Sequence, residues 1–453
     1  MYFLYSVLMG LAVLLTAPYW IIQGLRHGKY LSNLGERLGF SLPNLEKLSA
    51  ERPGAIWVHA VSVGEALSGV ALAKRLKETY QRPLIVSTTT LTGHALAKER
   101  MPFADAVIYF PFDWAFSVRR VLDAVKPALV VVLETEIWPN FLRESGRRNI
   151  PVVFVSGRIS DRSFARFQRY LGLFRFYLRP FLASALRNAA AFLMQTGTDA
   201  DRIRALGAPS DRVKVSGNLK YDMALPEPTP LSVWLEEECK RRERWPVIVA
   251  GSVVATEEPL ALIAFGVVQG DFRNALLVLA PRKPERFAAA ADFIEESHRK
   301  FVRRSELPVA GPGIAPKPDG NSNGIPDDAT VLLLDSIGEL GSLYRLADGA
   351  FVGGSLVDAG GHNILEPAAF GKVPVFGPSM ENFAEIAACF VEAGAAIQVE
   401  SPEDAGVEWI HLLKDPEKMK RMGESAKQRV ESSRGALDRA MIEIGKQLGG
   451  VSR

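Results

Sequence analysis

The segment HAVSVGEALSG places Glu65 directly after Gly64, where the apolar run AIWVHAV stops and a helical pattern begins. Junctions of this kind commonly hold phosphate, because free N–H groups and the positive helix end face the ligand. A carboxylate there repels phosphate but is well placed to take a proton from a hydroxyl. The alternative is a helix-start acid, worth about 0.3–1 kcal/mol. Glu134 and Glu136 close the run VVVLETE and share one side by strand alternation. Two carboxylates at a buried strand end are costly unless paired, so a partner such as Arg158 or Lys220 is expected. Structural and functional roles both stand for them. Lys220 of GNLKYD either faces negative charge growing on a departing phosphate or pairs with Asp222.

A second set of residues suits an anion. In APRKPERF, Arg282 and Lys283 follow a buried run; a fixed guanidinium there can fork onto phosphate or carboxylate, or the pair can simply be solvated. The stretch GGSLVDAGGHNILEPAAFGKVPVFGP, residues 353–378, is richer. Its glycines let backbone approach a ligand, although a short glycine pair alone reads as packing. Asn363 can cap a helix whose free N–H groups suit phosphate. One turn in, Glu366 can accept from a ribose diol, and Pro367 fits a first helical turn. Read whole, the stretch fits a nucleotide site better than the alternative, a capping motif with packing glycines. DSIGEL puts Ile337, Gly338 and Glu339 in a loop able to embrace a base or ribose, a weaker signal. Asp199 and Asp201 form a D-x-D pair that fits a helix cap better than a metal site. No His, Cys and carboxylate cluster has ligand spacing, so neither metal nor cofactor is expected. A nucleophile elbow, a P-loop and a dinucleotide fingerprint are also missing, which disfavours an NAD oxidoreductase.

These residues need strands to hold them. The chain has 453 residues, 48% of them apolar and 23% charged, with a net charge of +3. That is globular composition, long enough for two domains, and too weakly basic to argue for nucleic acid. Two distant cysteines imply no disulfide framework. Short apolar runs alternate with helical patterns: AIWVHAV, PLIVSTT, DAVIYF, ALVVVLE, PVVFVSG, AFLMQT and VKVSG, then PVIVAGS, ALLVLAP, TVLLLDS, GAFVGGS and VPVFGP. Buried parallel strands are expected, in two doubly wound α/β domains with ligands between them at the strand carboxyl ends. The expected divisions are 1–25, a membrane anchor; 26–222, a first α/β domain; 223–234, a proline-rich linker; 235–415, a second α/β domain with the nucleotide loops; and 416–453, helices packing back.

The first 25 residues carry no charge, and Arg26, His27 and Lys29 follow. No basic residue precedes the run and no cleavage pattern follows it, so a retained anchor that spans or dips into the membrane is expected, with the body in the cytoplasm. Tyr19 and Trp20 suit the interface. Residues 156–188 interleave Arg158, Arg162, Arg166, Arg169, Arg175, Arg179 and Arg187 with aromatic and aliphatic side chains. Such a stretch lies on anionic lipid, binds nucleic acid, or merely snorkels; the anchor favours lipid.

Taken together, HAVSVGE, LETEIWPN, GNLKYD, APRKPERF, IGEL and GGHNILEPA resemble the 3-deoxy-D-manno-octulosonic acid (Kdo) transferase family over nearly the whole chain. The resemblance implies a GT-B fold, a CMP-Kdo donor, a phosphorylated lipid A precursor as acceptor at a bacterial inner membrane, and inverting transfer without a metal. It makes 26–222 the acceptor domain and 235–415 the nucleotide-sugar domain. It implies Glu65 as general base and Glu134 and Lys220 as transition-state groups. It implies CMP contacts from Pro281, Arg282, Ile337, Gly338, Glu339, Asn363, Ile364, Leu365 and Glu366. Arg158, Arg162, Arg166 and Arg169 would meet the acceptor and the membrane. NILEP stands where some relatives have NPLEP, and the Gly/Pro/Asp-rich loop before Asp335 resembles an insertion. The alternatives are another membrane-associated GT-B transferase using a UDP-sugar, or a membrane-tethered sugar-nucleotide-binding protein without turnover.

Overall fold

The computed structural model describes residues 1–27, 33–40, 42, 45–173, 175–314 and 324–449. Lys29 and residues 315–323 of the Gly/Pro/Asp-rich loop fall outside the described residues, as do the side chains of Tyr19, Trp20, Arg26, His27 and Arg175. The chain forms two units, residues 1–223 with 433–453, and residues 224–432.

The first unit holds β1 (Ala55–Ala60), β2 (Leu84–Thr88), β3 (Ala106–Tyr109), β4 (Pro127–Leu133), β5 (Val152–Gly157), β6 (Ala191–Met194) and β7 (Val213–Val215). They pair in the order β3-β2-β1-β4-β5-β6-β7, with every pairing parallel. Every residue of β1, β2, β5 and β6 is buried, as expected of a sheet covered by helices on both faces. Polar side chains inside this core answer one another: Trp57 Nε1 donates to Ser87 Oγ at 2.7 Å, and His59 Nδ1 lies 2.9 Å from the same oxygen. The chain winds from β1 through β2 to β3, then returns to set β4 beside β1. Their carboxyl ends therefore flank the switch point, where doubly wound sheets place ligands.

The second unit repeats this plan with β8 (Val247–Val253), β9 (Leu276–Pro281), β10 (Lys300–Arg303), β11 (Ala329–Leu333), β12 (Gly349–Val352), β13 (Pro374–Phe376) and β14 (Ile397–Gln398). The order is β10-β11-β9-β8-β12-β13-β14, again parallel throughout. Its switch point lies between β8 and β12. The sequence runs account for twelve of these strands. The other two, β10 and β14, are edge strands with exposed ends, and neither has a continuous apolar run.

The helix Pro416–Ser433 belongs almost wholly to the second unit, whereas the last helix, Ala436–Gly449, belongs to the first. There Ala440, Ile444 and Leu448 join Leu72, Leu76 and Val155 in one core cluster. Asp222 fixes the start of that helix by accepting from Gly435 N at 2.5 Å and Leu437 N at 2.7 Å.

The N-terminal helix, Tyr2–His27, docks its first turns on the first unit. Trp114 Nε1 donates to Ser6 O at 3.2 Å, Asn140 Nδ2 donates to Ser6 Oγ at 3.0 Å, and Tyr5 hydrogen-bonds Asp113. Asp113 also accepts from Asn140 N and Phe141 N, and burial pushes its carboxyl up to about 7 against those bonds. Among the described residues no helix is long and apolar enough to cross a membrane.

Asp222→Ala should lower unfolding free energy by about 1–2 kcal/mol, the worth of an N-terminal cap. Faster amide hydrogen exchange across residues 436–449 would locate that loss.

Candidate active site

Glu65 lies in the first turn of the helix Val63–Tyr80, which starts at the β1 side of the switch point. Ser62 caps the helix, its Oγ accepting from Glu65 N. The Glu65 carboxylate turns back: Oε2 accepts from Val61 N at 2.7 Å, and Oε1 accepts from Ser62 Oγ at 3.0 Å. It is only 6% exposed. Burial, and after it the charge of Glu134, push its pKa up to about 7; the Val61 and Ser62 bonds oppose this and Glu136 adds to it. Burial and then Glu134 push Glu136 to about 7 as well. The fold therefore brings Glu65 to a pair of carboxyl groups, Glu134 and Glu136, far from it in sequence, and leaves two of the three near neutral-pH titration.

Glu134 has φ +55°, a left-handed conformation costing a non-glycine residue about 1–3 kcal/mol. Ser156 on the neighbouring β5 has φ +58°, at a shift in the β5–β6 register. These two strained residues sit side by side in the hydrogen-bond scheme. Glu134 N donates to Val155 O at 2.9 Å, and Leu219 N donates to Ser156 Oγ at 3.3 Å. Asn218 links Lys220 N to Gln195, which in turn donates to Ser156 O. Lys220, half-buried on the turn Leu219–Asp222, is thus brought to the same strand ends as Glu134. Asp222, two residues on, also accepts from two N–H groups at the start of the last helix. Arg158 joins the group through its N–H, which donates to Thr135 Oγ1 at 2.8 Å.

Arg162, Arg166 and Arg169 stand on the exposed side of the helix Asp161–Leu173, while Phe164 and Phe167 pack against the core. The cap of the helix Gly197–Ala205 is Thr196, whose Oγ1 accepts from Asp199 N, and Asp199 lies within the first turn, where Ile159 N and Thr196 Oγ1 donate to its two oxygens at 2.8 and 2.5 Å. Among the described residues no group of three or more His, Cys, Asp or Glu could hold a metal ion.

In the second unit, Pro281 ends β9, buried, and Arg282 follows, exposed, with its N–H bonded to Val253 O. Arg282 is an electrostatic neighbour of both His362 and Glu366. Burial, then Arg282, pull His362 down to about 4, so this imidazole is neutral at neutral pH. Burial raises Glu366, opposed by Asn363 Nδ2, which donates to it at 3.3 Å, and by Arg282. Tyr344 lies beneath; a Cβ on Gly251 would fall 1.9 Å from its hydroxyl, so the backbone there approaches as only glycine allows.

Three expectations for this site need revision. The helix after Asn363 has only five residues, Leu365–Ala369, and Leu365 N is already bonded to Asn363 Oδ1, so its end offers little dipole. Ile364 and Leu365 are fully buried and present no side chain to a ligand. Glu339 is fully buried too, held by Arg304 through Nε at 2.8 Å and Nη2 at 3.0 Å, and by Ser336 Oγ at 2.5 Å. Its role is to fix the loop on which Ile337 and Gly338 stay exposed. Arg304 was not visible as a partner in the sequence.

Both units are doubly wound, with acids gathered at the strand ends of one and glycines and an exposed arginine at those of the other, a plan on which group-transfer enzymes are built. Residues 32–223 match the family model "3-Deoxy-D-manno-octulosonic-acid transferase (kdotransferase)", and residues 322–429 match "Glycosyl transferases group 1". The 3-deoxy-D-manno-octulosonic acid transferase of Haemophilus influenzae is 32% identical over 444 residues, 97% of each chain. That of Bordetella pertussis is 32% identical over 87% of each. A putative UDP-N-acetylglucosamine 2-epimerase from Listeria monocytogenes shares the fold, with TM-score 0.53 and 11% identity over 88% of this chain and 97% of its own. The chain belongs to the 3-deoxy-D-manno-octulosonic acid transferase family and is a glycosyltransferase of GT-B-like architecture.

Arg304→Met should cost about 3–5 kcal/mol by stranding Glu339 uncompensated in the core. Adding Glu339→Leu should recover part of that, read by denaturant unfolding.

Proposed function

We propose that the protein transfers Kdo from CMP-Kdo to a phosphorylated lipid A precursor, lipid IVA, with inversion and without a metal, in lipopolysaccharide core synthesis. The observation that carries this is Glu65: a buried carboxyl at the first switch point, bonded at its back to Val61 and Ser62, and titrating near 7. A base with that pKa takes an acceptor hydroxyl proton at neutral pH. The freed oxygen attacks the anomeric carbon of Kdo, the bond to the phosphate oxygen breaks, and CMP leaves with the electron pair. Lys220 quiets the charge growing on the leaving group, and Glu134 stabilises the cationic sugar. On the donor side Arg282 holds the phosphate, while Pro281, Ile337, Gly338, Asn363 and Glu366 hold the nucleoside.

The membrane role rests on exposed apolar and basic side chains. Phe3, Leu8, Leu14 and Leu15 of the N-terminal helix are 83%, 57%, 70% and 81% exposed, and Phe176 and Tyr177 are 84% and 67% exposed. With Arg162, Arg166 and Arg169 also exposed, we read this as an anchor at the cytoplasmic face of the inner membrane, meeting a phosphorylated lipid. A UDP-sugar transferase is the second reading, favoured only by the fold shared with sugar-nucleotide enzymes.

The direct test incubates the full chain with lipid IVA and either CMP-Kdo or UDP-sugars, and reads the lipid by mass spectrometry. Kdo addition from CMP-Kdo is expected; transfer from a UDP-sugar alone would establish the second reading. Glu65→Gln should abolish turnover while CMP still binds, and Arg282→Ala should raise donor KM. Because the base works ionised, kcat/KM should climb with pH up to about 7. Glu134→Gln removes a like charge, so in whatever activity remains this acid limb should move to lower pH.

A further inference from the structure

Two adjacent acids that the reaction does not use lie at the second switch point. Glu257 and Glu258 open the helix Glu258–Asp271 after β8, and both are fully buried. Glu257 spans the two lips of the crevice. From the β8 side it accepts Val254 N at 3.2 Å; from the β12 side it accepts Gly354 N at 2.6 Å, Ser355 N at 3.0 Å and Leu356 N at 3.0 Å. Four backbone donors on one carboxylate make a nest of the kind that elsewhere holds phosphate, here filled by the protein itself. With Gly353 N donating to Gly251 O at 2.8 Å and Gly354 N to Glu257, the N–H groups of the glycine pair are spent internally rather than on a ligand's phosphate.

The platform so fixed carries the next segment. Gly361 N donates to Gly354 O at 2.7 Å, and Gly377 N donates to Ser355 Oγ at 2.9 Å. Asn363 and Glu366 follow immediately. Glu258 acts on the other lip: Arg286 Nε donates to its Oε1 at 2.8 Å. Arg286 stands four residues after Arg282 in the same loop, whose start is pinned by Arg282 N on Val253 O at 2.8 Å.

We infer that Glu257 and Glu258 are the positioning residues of the donor site, Glu257 setting the segment that presents Asn363 and Glu366, and Glu258 setting, through Arg286, the loop that presents Arg282. This rests on reading the second unit as the CMP-sugar site. The two acids touch neither nucleotide nor sugar; they decide where the contacting groups stand. Glutamine at 257 would turn an N–H₂ toward N–H donors, so the isosteric change alone should move the loop.

The test is calorimetric titration of CMP into the full chain, paired with donor KM and kcat. Glu257→Gln should raise CMP Kd and donor KM about tenfold or more, with kcat at saturating donor largely kept. Glu258→Ala should do the same, and Glu258→Gln, which can still accept from Arg286, should do less. Phe265→Leu, a fully buried core change in the same unit, should lower Tm without moving Kd. If the wild type binds no CMP, the reading of the unit fails. If the wild type binds and both acid variants bind equally well, or if Phe265→Leu weakens binding as much, the positioning role is overturned. Should Glu257→Gln not fold, Glu258→Ala and Arg286→Ala carry the same test of the Arg282 loop.

Discussion

A carboxylate taken out of water has to be answered by donors or by a cation, and if it is not, it takes up a proton. Much of this protein's functional architecture follows from how that demand is met in each unit. In the second unit the buried acids have close partners. Glu257 has four backbone N–H groups, Glu258 has Arg286, and Glu339 has the fork of Arg304 with Ser336. In the first unit Glu65 has two donors but also faces Glu134 and Glu136, and the mutual repulsion adds to the cost of burial. The first arrangement makes acids into struts. The second keeps an acid near its protonation threshold, which is the state a general base at neutral pH requires.

The winding of the sheets decides where those acids fall. In each unit the chain leaves the central strand in one direction and returns on the other side. The helices that follow β1 and β8 therefore start beside loops that follow β4 and β12. Glu65 and Glu257 are topological counterparts, each in or at the start of the helix after the central strand. Glu257 is bonded on both sides of its crevice, while Glu65 keeps two donors and two acidic neighbours. The strain is matched too: Ser156 and Ser252 adopt left-handed φ of +58° and +57° at register shifts in β5 and β8. Such bulges re-aim the strand end toward a site, and over-determined packing around them holds the strain.

The strands were legible because parallel strands buried on both faces must be continuous apolar runs, and runs such as AIWVHAV and ALLVLAP leave little else to fold into. KFVR, which forms β10, gave no such signal, since an edge strand keeps its ends in water. The site was legible as a set of residue types at strand ends but not as a set of partnerships. Asp222 stood out only as a neighbour of Lys220, and its bonds to the start of a helix more than 200 residues later could not be read. Glu339 looked like a ligand contact, yet it answers Arg304, 35 positions earlier. Glu257 drew no attention in the sequence at all. In each case the deciding group comes from another loop, and only the fold brings it within 3 Å or so.

The filled nest also constrains how the donor's charge can be met. In many nucleotide sites a glycine loop and a long helix supply the positive potential through backbone N–H groups. Here the loop at 354–356 is bonded to Glu257, and the helix behind Asn363 is a single turn whose leading N–H is partly used. The burden shifts to side chains, and Arg282 stands exposed beside Glu366 and a neutral His362. A guanidinium on a loop is a compact partner, suited to one phosphate and its neighbouring carboxylate rather than to a row of phosphates. Its reach depends on the loop that carries it, which is why an acid buried one layer back, making no contact with the nucleotide, belongs to the recognition of that nucleotide.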